Sequence, residues 1–208
     1  VAAAHIGYAI VSYGVFLTLV HERTAASEWL FVASVVVATG IAVGCLSAEI
    51  RGLALRDSLT GLGNRRVWEE ALPRQLALAA RSAKPLCVAL IDVDGFKDLN
   101  DRDGHLAGDR VLSEAAAAWA REVRASDVLA RYGGDEFALL LPDCTIDRAM
   151  EIVGRLGLVC ESVRFSTGVA RWDGIEDAES LVHRADEALY LAKSQGGGRS
   201  VLAAGKVA

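Results

Sequence analysis

"DVLARYGGDEFALLLP", residues 127–142, holds two short apolar runs separated by two glycines and two carboxylates. "DVLARYG" and "EFALLLP" read as the strands of a β-hairpin, with "GGDE" at its tip. Taken alone, the tip reads as an acidic type I′ turn. Upstream, "LCVALIDVD" (86–94) is a continuous apolar run ending in acids, as a buried central strand would be. Side chains alternate along it, so Asp92 and Asp94 share one face while Ile91 and Val93 take the other. If the hairpin pairs beside this strand, Asp135 and Glu136 become neighbours of its acidic end. Crowded carboxylates repel unless protonated or bridged by a cation. Hard oxygen ligands suit Mg²⁺ bound jointly with substrate phosphates. Gly133 and Gly134 then have a use, because backbone without side chains can approach a bulky ligand.

Outward from the hairpin, the pattern alternates. "NRRVWEEALPRQLALAARSA" (64–83) has helical periodicity, with a kink or restart expected at Pro73. "GDRVLSEAAAAWAREVRA" (108–125) and "DRAMEIVGRLGLVC" (147–160) read as helices, "VRFSTGVARW" (163–172) as a strand, "AESLVHRADEALYLAKSQ" (178–195) as a helix and "RSVLAA" (199–204) as a closing strand. This order predicts an α/β domain with a helix-covered sheet, an α+β palm-like or ferredoxin-like core.

Composition divides the chain differently. Of 208 residues, 52% are hydrophobic. The charge lies almost wholly beyond position 50: residues 1–20 and 31–48 contain no Asp, Glu, Lys or Arg. "VAAAHIGYAIVSYGVFLTLV" (1–20) and "EWLFVASVVVATGIAVGCLSAE" (28–49), joined by a short polar connector, are each long enough to cross a hydrocarbon core of about 30 Å. A transmembrane helical hairpin is therefore expected in residues 1–50, followed by a linker (51–56) and a domain from 57 to 208. The first stretch lacks the basic n-region of a signal peptide. Arg51, Arg56, Arg65 and Arg66 follow the second stretch, so the positive-inside rule puts the following domain in the cytoplasm, with the hairpin in a bacterial inner membrane and membrane lipid as a partner. Gly40 and Gly44 form a GxxxG that fits a dimer contact or packing against the first span. Net charge is −5, so no nucleic-acid partner is expected. The four cysteines form no CxxC pair, which argues against a zinc site or disulfide framework.

"RYGGDEF" together with "DSLTGLGNRR" (57–66), "DVDGFKDLNDRDGHLAGD" (92–109), "FSTGVA" (165–170) and "ADEALYLAK" (185–193) closely resembles the GGDEF family of diguanylate cyclases. Five motifs in order cover roughly residues 55–203. The resemblance implies a palm-like fold related to class III nucleotide cyclases, and condensation of two GTP into cyclic di-(3′,5′)-guanylate with release of pyrophosphate. It further implies that Asp92, the Val93 carbonyl, Asp135 and Glu136 hold two Mg²⁺ ions per active site, with Mn²⁺ as an alternative. Asp135 is also the implied proton acceptor, so Asp135 and Glu136 are the expected catalytic pair. Asn100 and Asp109 match guanine-reading positions. A carboxylate accepts from the guanine N1–H and N2–H₂ donors, which adenine lacks. Without the flanking motif they read as a helix N-cap and a helix-start acid. Lys97 and Lys193 match phosphate-contacting positions, Gly133 and Gly134 line the nucleotide, and Phe96 is core support.

In one place the chain departs from the pattern. "AKSQGGGRS" (192–200) has Gly197 where the family often carries a phosphate-binding Arg. Glycines there could still offer backbone N–H groups.

"RASD" (124–127) matches the family's RxxD site of product inhibition. Arg124 would fork onto a phosphate or stack on guanine, Asp127 would accept from a guanine edge, and Arg155 would add a contact. An i,i+3 ion pair is the plainer reading of the same residues. One GTP per domain makes a homodimer part of the implied mechanism. The short stretch "IRGLALR" (50–56) leaves no room for a sensory module and would couple the segments directly. The competing functions are a non-catalytic cyclic diguanylate receptor using the RxxD site, and a membrane scaffold. The intact Gly133, Gly134, Asp135, Glu136 and Phe137 argue for the enzyme.

Overall fold

The run 86–93 is a strand buried at every position, and the other elements are arranged around it. The structure, a computed structural model, describes residues 26–53, 55–160 and 163–205. In chain order the elements are α1 (Ala26–Leu53), β1 (Gly63–Asn64), α2 (Arg65–Ser82), β2 (Leu86–Val93), α3 (Phe96–Asp103), α4 (His105–Trp119), β3 (Val128–Arg131), β4 (Glu136–Pro142), α5 (Ile146–Leu158), β5 (Phe165–Arg171), α6 (Ala178–Ser194) and β6 (Ser200–Leu202). One mixed sheet has the order β1-β3-β4-β2-β5-β6. Its four middle strands are antiparallel, and short parallel strands β1 and β6 close the two edges. A β-α-β-β-α-β core ordered β3-β4-β2-β5 is the expected ferredoxin-like arrangement.

Alternation along β2 divides the core in two. Cys87, Ala89, Ile91 and Val93 point to the side of α4 and α5, against Leu112, Trp119, Ile152 and Leu156. Leu86, Val88 and Leu90 point to the side of α2 and α6, against Trp68, Leu72, Leu181 and Leu189. Burying each such large apolar side chain contributes about 1.5–3 kcal/mol. Trp119, fully buried, meets Phe137 and Phe165 edge-on at 5.1 and 5.0 Å, and its indole N–H donates to the Leu156 carbonyl (3.1 Å). The even-numbered face matters for function: Asp92 continues the Leu86–Val88–Leu90 row, so it looks toward the C-terminal end of α6 rather than toward α4.

Two local expectations are corrected. α2 runs through Pro73 without a restart. Pro73 is exposed, so the carbonyl left without its helical partner faces water, while the buried row Trp68, Leu72, Leu76 and Ala79 continues past it. The helix read over 108–125 begins at His105 and ends at Trp119, and a separate helix, α3, precedes it across Gly104 (φ +85°).

The chain divides into two compact units, Val1–Gly52 and Leu53–Ala208. The expected inner-membrane location is corrected here. Among the described residues, no helix is long and apolar enough to cross a membrane. The first apolar stretch, residues 1–20, lies outside the described residues. Gly40 and Gly44 have open space around them within α1.

Candidate active site

Asp92 ends β2 between two partners. Glu136 lies directly opposite it on β4, and Ser166 directly opposite it on β5. Directly paired residues share a face, so the pairing sets Glu136 beside Asp92. The hairpin tip closes over the strand end, with Val93 N–H donating to the Asp135 carbonyl (3.2 Å). Tyr132 and Gly133 N–H both donate to the Glu136 carbonyl (2.8 and 3.1 Å). The type I′ reading of the tip does not hold, because neither Gly133 nor Gly134 has a positive φ. Gly133 instead leaves room for the Glu136 carboxylate: a Cβ there would lie 2.4 Å from Glu136 Oε2, so a side chain at 133 would displace that carboxylate. Gly134 has open space on that side.

Asp92 is 7% exposed and carries a carboxylate whose pKa is raised above the usual value. Burial is the main cause, and the Asp135 and Glu136 charges add to it, against the hydrogen bond and charge of Lys193. Lys193 Nζ sits 2.6 Å from Asp92 Oδ2, reaching it from the end of α6. Its ammonium stands where a cation balances the acidic strand end. The donors are hard oxygens from three adjacent acids, which fits a divalent ion completed by substrate oxygens. A closed protein cage, by contrast, is not formed: among the described residues, no three His, Cys, Asp or Glu side chains group to hold a metal.

Asn100 and Asp109 lie on neighbouring helices that touch at Gly108, where a Cβ would fall 2.0 Å from Asn100 Oδ1. That oxygen is buried without a hydrogen-bond partner among the described residues. Asn100 is inside α3 rather than at its N-cap. Asp109 is exposed and lines a shallow groove of about 530 Å³ with Leu59, Leu106, Arg110, Ser113 and Glu114. Lys97 is exposed in the first turn of α3, and Phe96 packs on the core.

Sequence reasoning missed two supports. Arg131 donates to the Gly134 carbonyl through Nε and Nη2 (3.0 and 2.6 Å) and to both Asp57 oxygens through Nη1 (3.1 and 3.2 Å). It joins the "DSLTGLGN" loop to the hairpin tip. Burial pushes the Asp57 carboxyl up, but hydrogen bonds from Thr60 and Arg131, with the Arg131 charge, hold it below its ordinary value. The second support is Asp94, which accepts from Ser166 Oγ (2.7 Å) and Gly198 N–H (2.6 Å). The only signal for either was an acid inside a motif. Their partners are more than seventy residues away in sequence.

The RxxD residues form a separate turn. Asp127 Oδ2 accepts from Arg124 N–H (2.8 Å), and Arg124 accepts from Asp127 N–H (3.0 Å). The i,i+3 ion pair is not made, and the Arg124 side chain is exposed. Arg155 Nε lies 3.2 Å from Glu122 Oε2, two residues before Arg124 in the chain.

Residues 54–199 match the family described as "Diguanylate cyclase, GGDEF domain". The chain is 38% identical over 157 residues to the diguanylate cyclase DgcP of Pseudomonas aeruginosa, covering 70% of this chain and 23% of that protein. It is 39% identical over 158 residues to the response regulator PleD of Caulobacter vibrioides, covering 69% of this chain and 35% of that one. The chain thus spans about a quarter to a third of these relatives' length. Among solved structures it is similar to the coiled coil and GGDEF domain of DgcB from Caulobacter crescentus in complex with c-di-GMP (28% identity, TM-score 0.77, 85% of this chain and 100% of that one). It is also similar to diguanylate cyclase SiaD in complex with its activator SiaC from Pseudomonas aeruginosa (31% identity, TM-score 0.71, 97% and 82%).

Proposed function

We propose, from the premise that this chain belongs to the diguanylate cyclase GGDEF domain family, that it condenses two GTP into cyclic di-(3′,5′)-guanylate. The observation that carries the reading is the direct pairing of Asp92 with Glu136 beneath the Asp135 turn, with a lysine ammonium drawn to it. In each of two equivalent steps, a 3′-oxygen of one GTP attacks the α-phosphorus of the other. The bond to pyrophosphate breaks, pyrophosphate leaves with the electron pair, and Asp135 takes the hydroxyl proton. Asp92, Asp135, Glu136 and the Val93 carbonyl would hold Mg²⁺. Such an ion lowers the pKa of the attacking hydroxyl and offsets charge on the leaving group. Lys193 and Lys97 hold phosphate oxygens, and Gly133 and Gly134 leave room for the nucleotide. Asn100 and Asp109 read the guanine edge, which an adenine would leave unpaired at a cost of about 1–3 kcal/mol.

On this reading residues 57–208 are the cyclase domain and 51–56 its linker. Two domains face each other, because each brings one GTP. The cyclic product binds at Arg124, Asp127 and Arg155 and inhibits. The test is incubation of the purified chain with GTP and Mg²⁺ and identification of the product. Glu136→Ala should lower synthesis by about 10²-fold or more while the thermal melt stays intact. GTP binding without any cyclic product in the wild type would favour the receptor reading instead.

A further inference from the structure

The loop that joins α6 to β6, Gly196–Gly198, has left-handed backbone at all three positions (φ +101°, +70° and +63°). Successive N–H groups in such a loop often form an anion nest. Here they are already engaged. Gly196 N–H donates to the Lys193 carbonyl (3.0 Å), Gly197 N–H to the Ala192 carbonyl (3.0 Å) and Gly198 N–H to Asp94 Oδ2 (2.6 Å). The expectation that these glycines supply backbone donors to a phosphate is therefore corrected. A side chain at position 197 is also disfavoured: φ is left-handed, and a Cβ would lie 2.9 Å from Asp94 Oδ2. A phosphate contact at this loop must come from elsewhere.

Arg164 lies across the loop. A Cβ on Gly198 would fall 2.4 Å from Arg164 Nε, so the glycine leaves the space that the guanidinium fills. Arg164 Nη2 donates to the Gly196 carbonyl (2.5 Å), and Nε is 3.7 Å from Asp94 Oδ2. The Arg164 carbonyl accepts from Asp94 N–H (2.9 Å), which pins its backbone to the residue that follows β2. The side chain is 65% exposed, and among the described residues none accepts from its Nη1. Lys193 stands at the other end of the same loop, on Asp92.

We infer that Arg164 is a phosphate-binding residue, which takes the terminal phosphates of the nucleotide from the glycine loop while Lys193 takes them from the side of Asp92. The inference rests on the nucleotide reading above. A guanidinium suits this place because it keeps its charge and presents paired donors to phosphate oxygens.

The experiment compares wild type, Arg164→Ala and Arg164→Lys in the full chain. Equilibrium binding is measured with a GTP analogue that cannot be cleaved between the α- and β-phosphates, and with GMP. KM and kcat for GTP are measured alongside. Arg164→Ala should weaken the analogue about tenfold or more and leave GMP affinity unchanged. KM should rise by a similar factor with little change in kcat, and Arg164→Lys should recover part of the loss. Unchanged analogue affinity in Arg164→Ala would overturn the inference, as would a parallel loss for GMP, which would mean that the loop had collapsed. A wild type that binds the analogue in an Arg164-dependent way but makes no cyclic product would sink the cyclase reading and keep this one. A wild type that binds no analogue would sink both.

Discussion

Asp57 and Arg131 illustrate how one residue can hold a site that it does not touch. The Asp57 carboxylate accepts from Thr60 N–H and Oγ (2.8 and 2.7 Å) and from Arg131, which in turn holds the Gly134 carbonyl. Hydrogen bonds to a charged group contribute about 1.5–3 kcal/mol. Asp57→Ala should therefore cost about that much at pH 7, read from urea unfolding. The Asp57 pKa is lowered in the folded state, so its contribution is present above the unfolded value of 3.8 and is lost as pH falls through the folded value. The gap between wild type and variant should close below about pH 3.8. A gap that persists into acid would mean that packing, rather than the charge, is responsible.

At the level of elements, the approach of α6 to β5 places Lys193 on Asp92. Gly168 makes that approach possible. A Cβ there would lie 2.0 Å from the Ala185 carbonyl and 2.3 Å from Leu189 N, both of them helix backbone that cannot yield alone. Gly168→Ala should cost about 3 kcal/mol or more. Gly154, within α5, has open space around it, so Gly154→Ala should gain about 0.5–1 kcal/mol. Denaturation midpoints of the two variants would check this, and equal shifts would contradict the packing account. The hairpin β3–β4 and strand β2 were legible because each is a single apolar run between turn signals. α3 was not, since its eight residues carry no buried position that would leave a period in the sequence. β1 is two residues long and exists only because β3 is there to pair with it.

For the whole molecule, the RxxD turn before β3 and the acidic strand end are separate places. Arg124 is exposed, and Asp127 holds the turn through the Arg124 N–H. Arg124→Ala should raise the product concentration needed for half-inhibition about tenfold or more. Inhibition curves with added cyclic diguanylate are the check, and an unmoved midpoint would remove the regulatory assignment.

The sequence by itself determined the order of the longer strands and helices, without β1 and α3, the acids at positions 92, 135 and 136, and membership of the family. These depend on local periodicity and on motifs contiguous in the chain. Tertiary structure alone decided which groups meet across the sheet. Glu136 opposite Asp92, Arg131 on Asp57, Asp94 on Gly198 and Arg164 over the glycine loop are contacts between residues far apart in sequence. Each depends on strand order and register, which a local pattern does not encode. The glycines divide in the same way. Those at 133 and 134 invited a turn type from sequence, whereas in the fold the first of them leaves room for the neighbouring Glu136 carboxylate.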